Sequence, residues 1–354
     1  MRIENFLMML VRLVFTVLAV IILFVSPHDV LARKQNTDYT EKVVVGGNAA
    51  PNTPGDIYWR NFVESVDAKS QGSFSIEPFL RGQLGAEDSV FRALRRGKVK
   101  IAGLSTSALS LAVPELSVLR TPFLFDNNKE LEFILNSDLK SGVAEMLAEK
   151  GLVMFDWQSA GWMNFYSTFP IINPSDVINK RLRVGAEAAA ISFMRAIGAD
   201  FAHIPFGDIL PGLQTGLLSG GEQSTQLYIT GGFYDYAEYY TISRHAYVLA
   251  IIVANSEWFE ALSPEEQNIF RDSLPNDNWY RSMFVPRNQM KIEELKDEGL
   301  KVIELSNTQR MKWKSSVEQK SLQQIGTLNN RGQNLYKRII NLKKAYAASN
   351  ISPD

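Results

Sequence analysis

One stretch of the sequence, residues 181–226, constrains the fold more than any other. It reads in turn as strand, helix, strand and helix, which is the pattern of a βαβ unit in which helices cover a parallel sheet. In the first strand Arg181 and Arg183 alternate with Leu182 and Val184, so the two arginines share one face. The carboxyl ends of such strands border the usual ligand crevice of an open sheet. The stretch therefore predicts an α/β fold in which one arginine reaches a ligand.

Strand and helix signals elsewhere agree with this fold class. Lys42–Val45 is a β-branched run that ends in two glycines, as expected of a buried parallel strand. Ser263 followed by proline and two glutamates is a capping box, which predicts a helix start. The apolar segments Leu152–Trp157 and Tyr247–Ala254 are predicted to be buried strands.

Short motifs at characteristic spacings carry a resemblance to a known family. They are Gln83-Leu84-Gly85, Thr121-Pro122-Phe123-Leu124-Phe125, Leu182-Arg183-Val184, Pro205-Phe206-Gly207-Asp208, Leu213-Gln214-Thr215-Gly216, Gly220-Gly221-Glu222-Gln223 and Trp258-Phe259-Glu260-Ala261-Leu262. In this order they resemble the solute-binding proteins of tripartite ATP-independent periplasmic (TRAP) transporters, of the C4-dicarboxylate-binding type. The resemblance extends over roughly residues 43–345.

The resemblance implies a two-lobed α/β architecture, that of a periplasmic binding protein, with a ligand cleft between the lobes. Because two strands would cross between the lobes, each lobe is discontinuous in sequence. The expected division is a signal peptide (1–32), lobe I (33–160 plus 249–286), lobe II (161–248 plus 287–346) and a tail (347–354).

The N-terminal segment predicts export to the periplasm. Arg2 precedes an apolar run from Phe6 to Val25, and Val30-Leu31-Ala32 offers small residues at a peptidase site. An uncleaved membrane anchor is the alternative, because the run is about long enough to cross a bilayer. Arg12 near its middle disfavours that alternative.

Arg183 is the predicted charge anchor. In the family that the chain resembles, the arginine at this position pairs with a ligand carboxylate, and the planar guanidinium suits a bidentate pair. The alternatives are an exposed strand arginine or an internal ion pair.

Four further residues are predicted to shape the pocket. Gln223 stands where the family usually has asparagine, so it would offer an orienting amide; drift in a turn is the alternative. Met163 stands where many relatives have a second cation, and a thioether instead offers apolar surface. Trp162 and Tyr228 are candidate lining aromatics, although buried aromatics are more often core.

These substitutions favour a monocarboxylate with an apolar body over a C4-dicarboxylate. The predicted function is capture of an organic acid and its delivery to the membrane subunits of a TRAP transporter. A module of the same fold that feeds a sensor, or one that binds a more apolar or neutral ligand, is the alternative.

Other function classes find little support in the sequence. The chain of 354 residues has three histidines, no cysteine and a formal charge of −1. No nucleophile elbow, phosphate loop or zinc motif occurs, and no long basic run suggests nucleic acid. We therefore predict no enzyme activity, no cofactor and no metal site.

Overall fold

The computed structural model describes residues 41–49, 51, 53–185 and 188–349. Within them one mixed sheet has the strand order β2-β1-β3-β8-β4-β7-β5-β6, and β9 pairs with β8. Its strands are β1 (Glu41–Gly46), β2 (Phe74–Phe79), β3 (Ile101–Ser105), β4 (Leu152–Ser167), β5 (Arg181–Val184), β6 (Asp200–His203), β7 (Gly220–Ser224), β8 (Tyr239–Asn255) and β9 (Lys301–Glu304). The predicted α/β class is confirmed.

Helices flank the sheet on both faces. They are α1 (Pro54–Ser70), α2 (Glu87–Arg95), α3 (Thr106–Leu109), α4 (Asn128–Leu135), α5 (Leu139–Ala148), α6 (Ala188–Ala196), α7 (Ile209–Gln214), α8 (Thr225–Thr230), α9 (Ser256–Ala261), α10 (Pro264–Ser273), α11 (Asp277–Asp297), α12 (Asn307–Gly326) and α13 (Asn330–Ser349). Short 3-10 helices cover Pro114–Arg120, Pro174–Val177, Phe206–Asp208 and Phe233–Asp235. The predicted capping box at Ser263 and Glu266 is present at the start of α10.

Two long antiparallel strands, β4 and β8, run through the whole sheet. They pair from Leu152 with Asn255 to Ser167 with Tyr239, and the register shifts at Met154/Asp156, Ser159/Gly161 and Met163/Phe165. β3 and β1 extend the sheet beyond β8, whereas β7 and β5 extend it beyond β4. Both crossing strands are longer than the apolar segments in the sequence suggest, because polar residues continue the ladder past each irregularity.

Four apolar clusters pack against the two halves of the sheet. In the first half, one cluster includes Leu94 and Ile134, and the other includes Phe62 and Phe284. In the second half, α6 and α12 pack over one face, and α7 and α8 over the other. Helix α13 contributes Leu335, Ile339 and Leu342 to the first of these clusters. These contacts place α13 against the first half, whereas the predicted division assigns residues 287–346 to lobe II.

The N-terminal signal peptide (1–32) predicted from the sequence lies outside the described residues. So do residues 350–354 of the predicted tail, while α13 continues to Ser349. Among the helices that the structure describes, none combines the length and apolarity needed to cross a bilayer.

Candidate functional site

Arg183 lies on β5 near the carboxyl edge of the second half of the sheet. Leu182 and Val184 are fully buried in an apolar cluster, and this alternation turns Arg183 to the other face. The side chain is 9% exposed, and its Nε donates to the carbonyl of Ile204, just beyond the end of β6, at 2.9 Å. No carboxylate of the described residues lies within 4.0 Å, and neither terminal nitrogen has a hydrogen-bond acceptor there. The guanidinium is therefore enclosed and oriented, and its two terminal nitrogens donate to no acceptor in the described part of the chain.

Gly221 provides the room for this arginine. It pairs with Arg183 across the β5–β7 ladder. A Cβ at this position would come within 2.5 Å of the Tyr166 hydroxyl and 3.0 Å of the Arg183 Cβ. Any larger residue would therefore displace the arginine or the tyrosine.

Gln223 follows two residues later on the same face of β7. Its register partner is Asn164 on β4. The side chain is 7% exposed, and its Oε1 accepts from the backbone N–H of Ser224 at 3.1 Å, which is its one hydrogen bond within the described residues. The structure thus brings Arg183 and Gln223 to one face near the carboxyl ends of adjacent strands, where open α/β sheets bind ligands.

Met163 and Trp162 are neighbours on β4 and point to opposite faces of the β4–β8 pair. We name these faces after them. The Met163 face also carries Phe165 and Glu222, and the Trp162 face also carries Asn164, by the register of β4 with β7. Met163 is buried but belongs to none of the four apolar clusters.

Met163 nevertheless lies level with the end of a strand that borders the predicted crevice. Its partner, Ser224, is the last residue of β7. Trp162 is partly exposed, packs edge-on against Tyr247 and donates from Nε1 to Asn128 Oδ1 at 2.7 Å. The two residues therefore do not line a single surface. The registers of β4 with β7 and of β7 with β5 place Met163 on the face opposite Arg183 and Gln223, so it could meet a ligand only at the strand ends.

Tyr228 is fully buried within the cluster that includes Tyr166 and Tyr240. Its ring stacks on Tyr240 at 4.4 Å between centroids, and its hydroxyl donates to the carbonyl of Ala237 at 3.1 Å. These contacts favour packing over ligand contact, and a lining role for Tyr228 stays a prediction.

A buried acid–base pair lies behind the Met163 face. His245 Nε2 donates to Glu222 Oε2 at 2.7 Å, and the two side chains are 1% and 3% exposed. The imidazole stacks on Phe165 and on Phe193, each at 4.7 Å between centroids. Burial raises the pKa of Glu222, but the bond and charge of His245, with Arg120 and Arg183 nearby, lower it further than burial raises it. Glu222 is thus ionised and paired at neutral pH.

Glu222 belongs to the motif Gly220-Gly221-Glu222-Gln223, and the structure shows it hydrogen-bonded to His245. Sequence reasoning missed His245, because no motif surrounds that residue. The usable signal was a titratable side chain within a strand of mainly buried residues, since such groups are rarely buried without a partner.

No group of three or more His, Asp or Glu side chains within the described residues is placed to hold a metal ion. The arrangement at the carboxyl edge can instead hold an anion. An enclosed guanidinium and a neighbouring amide suit one carboxylate.

Comparison with known proteins identifies relatives of the chain. Residues 45–325 match the family described as bacterial extracellular solute-binding protein, family 7. A solute-binding protein of Chromohalobacter salexigens is 24% identical over 260 residues, which are 73% of this chain and 77% of that protein. The C4-dicarboxylate-binding protein DctB of Bacillus subtilis is 24% identical over 272 residues, covering 76% of this chain and 78% of DctB.

A solved structure shares the fold. The crystal structure of the sugar acid binding protein DctPAm of Advenella mimigardefordensis, in complex with galactonate, superposes with a TM-score of 0.77. It is 25% identical, and the match covers 86% of this chain and 98% of that chain.

Proposed function

The chain belongs to family 7 of the bacterial extracellular solute-binding proteins, and we propose that it captures an organic acid through the acid's carboxylate, with Arg183 as the anchor. It would then deliver the acid to the membrane subunits of a TRAP secondary transporter. Two of the three named relatives support an acid: one is called C4-dicarboxylate-binding, and another was crystallised with galactonate.

One observation supports Arg183 as the residue that binds the carboxylate. The Arg183 guanidinium is oriented by the Ile204 carbonyl, while its two terminal nitrogens have no acceptor among the described residues. Arginine binds carboxylates through two parallel hydrogen bonds, and such a pair contributes about 1.5–3 kcal/mol. Since the side chain is largely enclosed, solvent screens the pair less than it would at the surface.

For the ligand class we propose a monocarboxylate. The anchor offers a single cation, and Gln223 adds an amide rather than a second charge. Met163, where many relatives have a second cation, presents a thioether outside the packed clusters, which favours an apolar body. A polyhydroxy monocarboxylate such as galactonate is the second candidate, because a relative binds one.

We further propose that the protein acts in the periplasm after cleavage near Ala32, and that it catalyses no reaction. The lobe bounds given above belong to the same proposal, with α13 packed beneath the first lobe. N-terminal sequencing of the secreted protein tests the cleavage site, and product analysis after incubation with a bound acid tests for turnover. Docking to a receptor instead of a transporter is the alternative for the delivery step.

A thermal-shift panel tests the anchor and the ligand class together. It compares dicarboxylates, apolar monocarboxylates, sugar acids and neutral sugars on the wild type, Arg183→Ala and Arg181→Ala. Arg181 is the matched control because it lies on the same strand face but is half exposed and faces Asp200. A ligand at about a hundred times its Kd adds about 2.7 kcal/mol, which is a shift of several degrees.

We expect a monocarboxylate to shift the wild type and Arg181→Ala but not Arg183→Ala. A shift that survives Arg183→Ala would move the anchor elsewhere. A stronger response to succinate or malate than to every monocarboxylate would overturn the ligand class.

A further inference from the structure

A large cavity lies beside the crossing strands. It has a volume of about 660 Å³, within the range of small-molecule sites. We call it the hinge cavity. Its walls come from β4, β8 and β9, from the starts of α4 and α8 and from the second half of α11.

The hinge cavity is separate from the proposed carboxylate site. Trp162 and Asn164 line it, whereas Arg183, Gln223 and Met163 do not. A crevice at the carboxyl edge would be bordered by residues that follow β1, β2, β3, β5, β6 and β7, and of the described residues among these only Thr225, directly after β7, lines the cavity.

The charged groups of the cavity leave cations without partners. Lys296 pairs with Glu293 at 2.8 Å. Lys129 and Arg244 have no carboxylate within 4.0 Å among the described residues, and Glu304 is the remaining acid of the lining. The wall is therefore net positive, and two cations are available to an anion.

The backbone of Arg244 is held in an uncommon conformation. Its φ is 46°, in the left-handed region that non-glycine residues rarely adopt. Its N–H donates to Asn164 Oδ1 at 2.9 Å, and its carbonyl accepts from Arg310 Nη1 at 2.9 Å. Such strained residues concentrate at functional sites, where the surroundings hold them in place. Here the two contacts fix the point from which an unpaired arginine enters the cavity.

Flat apolar surface lies close to these cations. Trp162 is held by its bond to Asn128 and by its contact with Tyr247, and Phe284 and Val285 add apolar wall. From this combination we propose that the hinge cavity is a second small-molecule site, which binds an anion that carries an aromatic or flat apolar body.

The location of the cavity gives its occupancy a mechanical consequence. Gly161, with φ of 94°, lies in its wall at a register shift of β4. Pro286 interrupts α11 between wall residues, and a proline inside a helix removes one backbone hydrogen bond. A ligand here would contact β4 and α11 beside these two irregularities, in elements that extend along both halves of the sheet. On the proposed two-lobed function, it would therefore shift the equilibrium between open and closed lobes.

Titration with 8-anilinonaphthalene-1-sulfonate, an anionic aromatic fluorophore, tests the site. The full chain is compared with Lys129→Gln/Arg244→Gln and with the control Lys337→Gln/Arg95→Gln, which removes two exposed cations elsewhere. We expect one probe per chain and at least ten-fold weaker binding in the cavity variant, with less than two-fold change in the control. A second variant, Val285→Trp, fills the cavity without changing its charge and is expected to weaken binding similarly.

Equal affinity in the wild type and both cavity variants would overturn the second site. Loss of probe binding in Arg183→Ala would also overturn it, because the probe would then occupy the carboxylate site. Failure of every carboxylate to bind would refute the proposed function and leave this result intact.

The mechanical consequence has its own readout. The chain has no cysteine, so Glu64→Cys on α1 and Gln319→Cys on α12 place two spin labels, one on each half. We expect the probe to change the distance distribution in the wild-type background and not in Lys129→Gln/Arg244→Gln. An unchanged distribution at saturating probe would overturn the coupling.

Discussion

The two faces of the β4–β8 pair bury polar groups in different ways. Behind the Met163 face, an ionised carboxylate pairs with His245, whose ring stacks on Phe165 and Phe193. On the Trp162 face, the buried polar groups that β4 and β8 contribute are neutral: Asn164 donates to the Tyr240 hydroxyl at 3.0 Å, and that hydroxyl donates to Thr225 at 2.8 Å.

The difference follows from what covers each face. Around Phe165, the Met163 face is packed beneath α6 and α12, so a charge buried there must carry its own partner. The Trp162 face opens into the hinge cavity, where neutral groups are inexpensive to hydrate. The Glu222 carboxylate is thus tolerated on the more enclosed face only because His245 is held beside it.

The largest expected effect comes from removing that partner. Glu222→Leu should cost about 3–5 kcal/mol of unfolding free energy, because it leaves His245 buried without its acceptor. Chemical denaturation measures the loss. Glu260→Leu, at an exposed acid, is the control and should change stability by less than about 0.5 kcal/mol. A loss below about 1 kcal/mol for Glu222→Leu would show that the pair is not the main determinant of this face.

A smaller effect is expected from adding a charge to the Met163 face. Met163→Arg should raise affinity for succinate relative to a monocarboxylate by about ten- to a hundred-fold, because a second cation can pair with a second carboxylate. Calorimetric titration with both acids measures the ratio, and Met163→Leu is the uncharged control. An unchanged ratio in a folded Met163→Arg protein would show that position 163 does not contact the ligand.

A smaller loss of unfolding free energy is expected from a change on the Trp162 face. Tyr240→Phe removes one hydroxyl between Asn164 and Thr225 and should cost about 1 kcal/mol. Denaturation at neutral pH measures it. A cost near that of Glu222→Leu would contradict the proposed difference between the faces.

The two faces should also differ in how the free energy of unfolding changes with pH. The pKa of Glu222 is lowered in the folded state, so its contribution is complete above the ordinary value of 4.5 and is lost as pH falls through the folded pKa. Burial raises the pKa of Tyr240 from 10.0 to about 12, so its contribution is complete below pH 10.0 and is lost as pH rises toward 12.

Chemical denaturation across a range of pH should therefore show two differences from the wild type. The free energy of unfolding should fall less steeply at acid pH in Glu222→Gln and less steeply at alkaline pH in Tyr240→Phe. The wild type is the reference for both. An identical loss of stability at acid pH in the wild type and in Glu222→Gln would refute the attribution of that loss to Glu222.

Much of the fold and part of the site were predictable. The alternation around Arg183 and the capping box at Ser263 depend on neighbours in sequence, and both are confirmed. The motif order also predicted the family, and the match over residues 45–325 confirms it. The full extent of β4 and β8 was not predictable, because their ladder continues through polar residues that only a neighbouring strand can satisfy.

The sequence alone determined the α/β class, the family and an arginine turned away from the apolar core, since each follows from periodicity or from local motifs. Only the tertiary structure decided that β4 continues through Trp162 and Met163, that Glu222 meets His245 and that a cavity adjoins the crossing strands. The reason is physical. Pairing and enclosure join residues that are distant in the chain, and their energies depend on geometry that no single segment contains.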